Sequence, residues 1–184
     1  MMGEKCICCG REIPEGLQVC PQCEFSGESH IKDSGNRREF STGAVRDIQE
    51  GKGRCDLLPL DVIDVLCSQA IVIHHLSVFQ DTGDVSLLYQ ALRAFCSLRE
   101  WDIPTMLLEV SKHFEEGAKK YGEYNWQKGI PIHCYIDSAV RHCLKWERQD
   151  KDEPHDRAFA WNIICCIWTI KHIGVEGNEK KCGN

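Results

Sequence analysis

The stretch Gly117–Trp126, which reads GAKKYGEYNW, closes a helix and follows it with hydrogen-bonding and stacking side chains. Gly122 ends the helix, as glycine commonly does just past a last helical turn. Apolar residues recur at helical rather than alternating spacing upstream of it, and for most of the chain from Leu57 onward. The stretch therefore indicates a long helix before it, in a chain that is mainly helical.

Glycine and proline mark the borders of the predicted helices. Gly83, Pro104, the Gly129–Pro131 segment and Pro154 interrupt the apolar pattern, and proline suits the first turn of a helix. No hairpin signal is present after the N-terminal module. The predicted fold is therefore an all-α bundle. Its helices are predicted at about 59–80, 85–99, 103–121, 132–149 and 154–172.

The composition indicates a cytoplasmic protein. The chain has 184 residues and a net charge of −6, so attraction to nucleic acid is not expected. No apolar run approaches the roughly 18 residues that span a bilayer, and no signal-peptide pattern is present. Several of the thirteen cysteines, such as Cys143, Cys165 and Cys166, lie in apolar helical runs, where thiols behave as small hydrophobic groups. We expect reduced thiols and no membrane partner.

Two CxxC pairs near the N-terminus predict a structural zinc site. Cys6 and Cys9, with Cys20 and Cys23, supply four soft ligands for a tetrahedral Zn²⁺, although Cys8 is an alternative to Cys9. Unpaired thiols in a disordered leader are the competing interpretation. A module this small needs its metal to fold. The predicted organisation is a zinc ribbon over 1–27, a linker over 28–38, a helical domain over 39–176 and a polar tail over 177–184.

The predicted helix 103–121 carries an apolar and a polar stripe on roughly opposite faces. The apolar stripe comprises Leu107, Val110, Phe114, Ala118 and Tyr121. The polar stripe comprises Glu109, His113, Glu116 and Lys120. A polar stripe is typical of a solvated face. The alternative is a cleft in which Glu109 and Glu116 lie near a metal and Lys120 faces phosphate, because Mg²⁺ prefers a few carboxylates plus substrate oxygens.

Candidate nucleotide-binding groups follow this helix. Tyr121 and Trp126 offer rings for stacking on a base, and Asn125 offers an amide for a base edge, sugar or phosphate. A tryptophan that fills the core is the common alternative. In the next helix Arg141 is a candidate because its planar guanidinium can neutralise charge on a phosphate. His142 falls on the apolar side, where a histidine is more often a core residue.

The last predicted helix begins with acidic residues. Asp152 and Glu153 either interact with the helix dipole or serve as metal ligands. His155 and Asn162 lie seven residues apart on one mostly apolar face. Polar groups there are unfavourable unless paired, so both are candidate site residues or members of an internal hydrogen-bonded network.

A basic, glycine-rich segment, Ser41–Arg54, precedes the helices. Glycine and cations together can bring amides and charged groups onto a phosphate, so Arg46, Lys52 and Arg54 are candidates. An ordinary loop with solvated charges is the alternative. Asp56 either orients Arg54 or serves a metal.

The order of these motifs resembles a known family. GA-x-KYG-x-x-NW at Gly117–Trp126, RH at 141–142, DE-x-H at 152–155 and WN at 161–162 are similar to phage-type dATP/dGTP diphosphohydrolases. Those belong with the MazG-like all-α nucleotide pyrophosphohydrolases. Phe40–Pro59 is similar to the opening of the same domain, so the resemblance covers residues 37–173. It implies a MazG-like bundle that assembles as a homodimer or tetramer in the cytoplasm of a phage-infected host.

The resemblance implies that a purine deoxynucleoside triphosphate, dATP or dGTP, is hydrolysed to the monophosphate and pyrophosphate with Mg²⁺. MazG-like enzymes hold Mg²⁺ on paired ExxE and ExxD helices. The Mg²⁺ ligands expected here are Glu109, Glu116, Asp152 and Glu153. The expected catalytic residues are Lys120, Arg141, His142 and His155. The expected substrate-binding residues are Arg46, Lys52, Arg54, Tyr121, Asn125, Trp126 and Asn162.

Two other functions are compatible with the same residues. One is a nucleotide-binding sensor or sequestering protein that uses the same pocket without catalysis. The other is a zinc-ribbon adaptor that contacts nucleic acid or protein, with the helical body as its scaffold. The acidic net charge argues against a nucleic-acid partner.

Overall fold

The structure is a helical bundle preceded by short strands. The computed structural model describes residues 4–5, 12–13, 31 and 33–174. The strands are β1 (Glu4–Lys5), β2 (Glu12–Ile13), β3 (Arg37–Glu39) and β4 (Val45–Asp47). The α-helices are α1 (Leu60–Ile63), α2 (Ala70–Thr82), α3 (Val85–Leu98), α4 (Ile103–Tyr121), α5 (Ile132–Glu147) and α6 (His155–His172). Short 3₁₀-helices lie at Cys55–Leu57, Asp64–Leu66 and Asn125–Lys128.

Local capping explains the helix borders that the sequence predicted correctly. Gly83 ends α2 in the left-handed conformation, with a φ of 69°. Asp84 then caps α3, because its carboxylate accepts a hydrogen bond from the Ser86 N–H at 2.9 Å. Asp102 caps α4 in the same way, and Gly122 follows its last residue.

The helices α3, α5 and α6 meet around an aromatic cluster. Phe95 of α3 stacks on Phe159 of α6, with ring centroids 4.2 Å apart, and lies 4.9 Å from the Trp146 ring of α5. The adjoining core includes Cys143 and Cys165 as buried free thiols. The interpretation of these helical cysteines as small hydrophobic groups is confirmed.

The single helix predicted at about 59–80 is wrong, because the chain breaks there. α1 ends at Ile63, a 3₁₀ turn follows, and Cys67 is extended with a ψ of 141°. The Ser68 N–H then donates to the Glu147 carboxylate of α5 at 2.7 Å rather than to a helical carbonyl. The apolar spacing continues across the break, so periodicity does not reveal it.

A β-hairpin that the sequence did not predict precedes the helices. β3 and β4 pair antiparallel, with Arg37 opposite Asp47. Gly43 forms the turn with a φ of 78°, and its N–H donates to the Phe40 carbonyl at 2.8 Å. β3 reads Arg-Arg-Glu and both strands are three residues long. Neither strand therefore shows the apolar alternation by which strands are recognised.

Side chains and backbone that follow α4 hold this hairpin. The Asn125 amide uses both of its ends on Val45: Oδ1 accepts the N–H at 2.9 Å and Nδ2 donates to the carbonyl at 2.8 Å. The Thr42 hydroxyl donates to the Gly129 carbonyl at 2.7 Å. Asn125 thus pairs with β4 as a neighbouring strand would, and tertiary contacts replace the stability that such short strands lack.

The two stripes of α4 are not divided between core and solvent as expected. Leu107 of the apolar stripe is 52% exposed, whereas His113 of the polar stripe is buried. The Lys120 side chain is only 7% exposed. The interpretation of the polar stripe as a solvated face is wrong, because α4 turns this stripe toward the protein interior.

The N-terminal module is described only at β1 and β2, which pair antiparallel. In the predicted linker, the Ile31 N–H donates to the Glu116 carboxylate of α4 at 2.8 Å. None of the described helices has the length and apolar character that a membrane crossing requires. The zinc ribbon stays a prediction, since its four ligands lie outside the described residues: Cys6, Cys9, Cys20 and Cys23.

Replacing Asn125 with alanine tests whether this amide holds the hairpin. We expect the free energy of unfolding to fall by about 2 kcal/mol, because two hydrogen bonds are lost and the Val45 backbone groups are left without partners. Urea unfolding measures this change. Gln127→Ala, in the same 3₁₀-helix and exposed, is the matched control and should stay within about 0.5 kcal/mol of the unmodified protein. Equal stability of both variants would contradict the role of Asn125.

Candidate functional site

A cavity of about 770 Å³ lies between the β3–β4 hairpin and the helices. Its walls come from the hairpin and the residues after β4, from α4, from the 3₁₀-helix after α4, and from α5 and α6. A volume of this size is within the range of small-molecule sites. Nine of the candidate site residues line it: Arg46, Lys52, Tyr121, Asn125, Trp126, Arg141, His142, Glu153 and Asn162.

Arg46 of β4 extends from the hairpin into the helical body. Its guanidinium donates to the Cys134 carbonyl at 3.1 Å, the Ser138 hydroxyl at 3.2 Å and the Asn162 amide oxygen at 3.0 Å. It also lies over the Tyr135 ring, 5.5 Å from the centroid. Burial lowers the pKa of Arg46 from its ordinary value. The residues of β4 are partly exposed, but the Arg46 guanidinium is enclosed by neutral hydrogen-bond acceptors and aromatic ring faces.

Arg141 of α5 lies beside Arg46 and is held by Asp137. The Arg141 guanidinium donates to Asp137 Oδ2 at 2.7 Å and to the Ser138 hydroxyl at 3.0 Å. Asp137 is almost fully buried, and its Oδ1 accepts the Cys55 N–H at 2.7 Å. One carboxylate therefore fixes Arg141 and the start of the 3₁₀-helix before α1.

Arg46 and Arg141 share the Ser138 hydroxyl, so two guanidinium groups lie side by side on the cavity wall. Asp137 compensates the charge of Arg141. Among the described residues, no carboxylate forms an ion pair with Arg46. A cation without an anionic partner is unfavourable in a poorly solvated site. An anion that enters between the two guanidiniums would remove this imbalance.

Aromatic side chains form another wall of the cavity. Phe114 lies edge-on to Trp126 at 5.4 Å and 5.9 Å from the Trp161 ring. Trp126 also packs edge-on against Trp168 of α6 at 4.9 Å, so it belongs to the core as well as to the cavity wall. Tyr124 is 64% exposed at the cavity and has a φ of 57°, in the left-handed region that non-glycine residues rarely adopt. Such backbone strain is often found where a side chain contacts a ligand.

Three buried polar atoms of the lining lack hydrogen-bond partners within the described part of the chain. They are Nε of Arg38, Nδ1 of His113 and Nε1 of Trp161, and the rings of His113 and Trp161 lie 5.4 Å apart. Burial lowers the pKa of His113 to about 3, with a further contribution from the positive charge of Arg157. The imidazole is therefore neutral near pH 7. Unpaired buried polar atoms are unfavourable, and their presence on a cavity wall is typical of a ligand site.

A cluster of histidines and carboxylates lies where α5 meets the start of α6. His142 Nδ1 and His155 Nδ1 are 3.0 Å apart, and Glu153 Oε1 lies 3.6 Å from the first and 3.7 Å from the second. His155 Nε2 hydrogen-bonds to Asp152 Oδ1 at 2.7 Å. Burial, with the charges of His155 and Arg141, holds the pKa of His142 well below its usual range.

The four carboxylates expected to hold Mg²⁺ are not brought together. Arg157 of α6 lies between two of them, 3.9 Å from Glu109 and 3.7 Å from Glu116. Asp152 and Glu153 belong instead to the histidine cluster. Within the described residues, neither Glu109 nor Glu116 joins a group of three side chains suited to one metal ion. The predicted four-carboxylate set does not fit a single ion here, because Arg157 neutralises the α4 pair.

The remaining candidate cations differ in where they lie. Lys52 lines the cavity, where its Nζ is 2.6 Å from Asp47 Oδ2. Arg54 is outside the lining and donates from Nε to Asp56 at 2.6 Å, so Asp56 orients this arginine. Lys120 is also outside the lining; its Nζ lies 3.6 Å from Asp33, and burial lowers its pKa.

The sequence reasoning missed several residues of the cavity. Ser138, Trp161 and Tyr124 were not candidates, and His113 was named only as part of a stripe. Ser138 lies three residues before Arg141 and shares its helical face, so that spacing was the available signal. Trp161 is the direct neighbour of Asn162, and adjacent helical residues do not share a face, so spacing gave no signal for it. The position of Tyr124 depends on a left-handed backbone that the sequence does not reveal.

The neutral His113 makes stability depend on pH. Its pKa is lowered when folded, so the unfolded chain takes up the proton first as the pH falls below about 6.5, and stability is lost on acidification. From pH 7 to pH 5 this histidine alone removes roughly 2 kcal/mol. Between pH 7 and pH 5 we expect the free energy of unfolding of His113→Gln, measured with urea, to fall by about 2 kcal/mol less than that of the unmodified protein. Ser111→Ala, exposed on the same helix, is the control. An unchanged pH dependence in His113→Gln would contradict the assignment.

Comparison with known proteins places the chain in a family. A family model described as dATP/dGTP diphosphohydrolase, N-terminal, matches residues 86–180, which is just over half of the chain. No curated protein and no solved structure is significantly similar. The matched region begins in α3 and includes every cavity residue from α4 onward, whereas the β3–β4 hairpin precedes it. The chain therefore belongs to the dATP/dGTP diphosphohydrolase family.

Proposed function

We propose that the protein hydrolyses a purine deoxynucleoside triphosphate, dATP or dGTP, to the monophosphate and pyrophosphate. The family to which the chain belongs supports nucleotide hydrolysis of this type. The observation that carries the proposal is the pair of guanidiniums at Arg46 and Arg141, which share one hydroxyl on the wall of a cavity that also has aromatic rings. Cations beside stacking surfaces are what a nucleotide with a polyphosphate tail requires.

The two guanidiniums suit the triphosphate. Arg46 approaches from the hairpin and Arg141 from α5, so a phosphate between them would contact cations on two sides. Planar guanidiniums bind phosphate oxygens in pairs. Lys52 also lines the cavity, where Asp47 holds its Nζ at 2.6 Å, so it would contact the tail as part of an ion pair. These groups would stabilise the negative charge that collects on pyrophosphate as it leaves.

In the proposed reaction a water oxygen attacks the α-phosphorus. The bond from that phosphorus to the oxygen bridging the α- and β-phosphates breaks, and the bond electrons leave with pyrophosphate. The proton of the water must pass to a base. Glu153 and His142 line the cavity and are the candidate acceptors. Burial holds the pKa of His142 well below its usual range, which makes it a weak base near pH 7.

The aromatic wall suits the base. Tyr121, the last residue of α4, lines the cavity together with Tyr124 and Trp126, which follow the helix. Tyr124 is the exposed ring of this group and would stack on the base with little rearrangement. The unpaired atoms of His113 and Trp161 are further polar contacts for base or sugar. Asn125 has both amide ends on Val45, so its proposed contribution to binding is to hold the hairpin against the cavity.

Mg²⁺ remains part of the proposal because triphosphate chemistry commonly uses it. None of the roles above depends on the four-carboxylate site, which does not assemble in the described residues. Lys120 and His155 remain proposed as supporting groups behind the cavity wall, since neither lines it.

A panel of nucleoside triphosphates tests the proposed reaction. The purified full-length chain is incubated with dATP, dGTP, dCTP or dTTP and a divalent cation, and both pyrophosphate and orthophosphate are measured. We expect pyrophosphate and the matching monophosphate from the purine substrates. Release of orthophosphate would contradict the proposed bond cleavage. Tight binding without product would support the sensor or sequestering function instead.

Arginine variants test which cations act in turnover. We expect Arg141→Lys and Arg46→Gln to lower kcat/KM by about 100-fold. Each substitution removes a guanidinium whose N–H groups would stabilise the negative charge that develops on the leaving pyrophosphate. Arg54→Gln is the control, since this arginine pairs with Asp56 outside the cavity. Circular dichroism and thermal melting check that the variants fold. Loss of activity in the Arg54 variant alone would contradict the assignment.

We also propose that the chain self-associates. The support is a run of exposed apolar side chains on α1 and its flanking 3₁₀ turns: Leu57 at 69%, Val62 at 62%, Val65 at 79% and Leu66 at 79%. Apolar surface of this extent is typical of an interface. A homodimer or tetramer would cover it.

Light scattering coupled to size-exclusion chromatography measures this association. We expect a dimer or tetramer for the unmodified chain and a smaller species for Leu66→Asp, because a charge in the apolar face disfavours its burial. Leu108→Asp, at a residue 68% exposed on α4, is the control and should not change the mass. A monomer in the unmodified chain would contradict the proposal.

A further inference from the structure

We propose that His142, His155 and Glu153 form a binding site for one divalent transition-metal ion, such as Zn²⁺, at the end of the cavity. His142 belongs to α5, His155 is the first residue of α6, and Glu153 lies two residues before it. Their facing atoms are His142 Nδ1, His155 Nδ1 and Glu153 Oε1. The site shares Glu153 with the predicted four-carboxylate set, but its other two ligands are imidazoles.

The distances between these atoms suit a common ion. The two nitrogens are 3.0 Å apart, and the carboxylate oxygen is 3.6 and 3.7 Å from them. Atoms bound to one Zn²⁺ at about 2.1 Å are roughly 3.0–3.4 Å from each other, depending on the coordination angle. The three groups would need to move by only a few tenths of an ångström.

Hydrogen bonding behind the site presents the required nitrogen of His155. Its Nε2 lies 2.7 Å from Asp152 Oδ1, so Nε2 carries the proton and donates it to the carboxylate. Nδ1 of the same ring then has a free lone pair toward His142 and Glu153. A carboxylate that holds a histidine in this way is the usual support of a metal-binding imidazole. Lys145 in turn holds Asp152 at 3.0 Å.

The ligand types select the class of ion. Two imidazole nitrogens and one carboxylate suit Zn²⁺ and neighbouring first-row ions, whereas Mg²⁺ prefers oxygen ligands throughout. Three protein ligands leave coordination positions open, as in hydrolytic zinc sites. His142 and Glu153 line the cavity, so these positions would face it. A bound ion of this kind supplies a water of lowered pKa.

Two other arrangements compete for the same groups. Without an ion, His142 and His155 share one proton between their Nδ1 atoms. Asp150, Asp152 and His155 also form a group suited to a metal, but Arg148 binds Asp150 through Nε at 2.7 Å. The Arg148 charge disfavours a cation at that second group. Both alternatives give different results in the experiment below.

Zinc binding to the full-length chain tests the proposal without nucleotide or turnover. The protein is equilibrated with buffered Zn²⁺, its metal content is determined by mass spectrometry, and affinities are measured by competition with a chromophoric chelator. We expect Glu153→Gln and His142→Ala each to lose one zinc-binding step or to weaken it at least about tenfold. Thiolate sites elsewhere are common to all variants and cancel in the comparison.

Three further arms decide between the arrangements. Asp152→Asn should weaken the same step by about tenfold, because it removes the support of His155. Asp150→Asn is the matched control and should bind as the unmodified chain does. Displacement of the ion by a large excess of Mg²⁺ would overturn the inference, as would loss of the step in Asp150→Asn but not in Glu153→Gln. Equal zinc content in all variants would also overturn the inference. The contact between His142 and His155 would then be explained by a proton shared between their Nδ1 atoms.

The metal site uses His142 and Glu153, which are also the proposed proton acceptors, but its occupancy is measured without nucleotide and is therefore tested separately from the hydrolysis. A chain that binds Zn²⁺ at these residues but releases no pyrophosphate would refute the reaction and keep the metal site. A chain that releases pyrophosphate but shows no zinc-binding step that depends on these residues would refute the metal site and keep the reaction. Glu153→Gln nearly preserves side-chain shape, and circular dichroism confirms folding before either conclusion is drawn.

Discussion

The placement of Arg46 is the constraint on which the cavity depends. A three-residue strand carries this guanidinium into contact with α5 and α6, where a carbonyl, a hydroxyl and an amide oxygen receive it. Enclosing a cation among neutral acceptors is unfavourable. The hairpin must therefore be held by other contacts, and Asn125 and Thr42 supply them. The motif after α4 thus lines the cavity and also holds the hairpin against it.

The helical architecture was predictable from the sequence because its signals are local. Gly83, Asp84 and Asp102 mark helix ends through their own backbone geometry or hydrogen bonds, and the structure confirms those borders. The hairpin was not predictable. Arg37–Glu39 has no apolar pattern, and the hairpin is held at Val45 by Asn125, which lies 80 residues further along the chain. The break after Ile63 likewise depends on Glu147, a residue of another helix. Local patterns carry no information about such distant partners.

The candidate site was predictable in its residues more than in their roles. Arg46, Arg141, His142 and Glu153 line one cavity, as expected of groups that act on one ligand. The helical spacing of Glu109 and Glu116 suggested a metal pair, but spacing on one helix says nothing about the opposing side chain, which is Arg157. Conversely, the His142–His155 contact joins two helices, so no periodicity within either helix indicates it.

The hairpin and the bundle contribute to this protein in different ways. The aromatic contacts of Phe95 and Phe159 lie within the helices, whereas the hairpin adds Ala44 to the buried core and packs Phe40 against it. The family model begins at residue 86, past the hairpin. Thermostability and ligand affinity are therefore coupled at the hairpin. Selection on residues 37–47 for a different polyanion also changes the packing that Ala44 and Phe40 give to the hydrophobic interior.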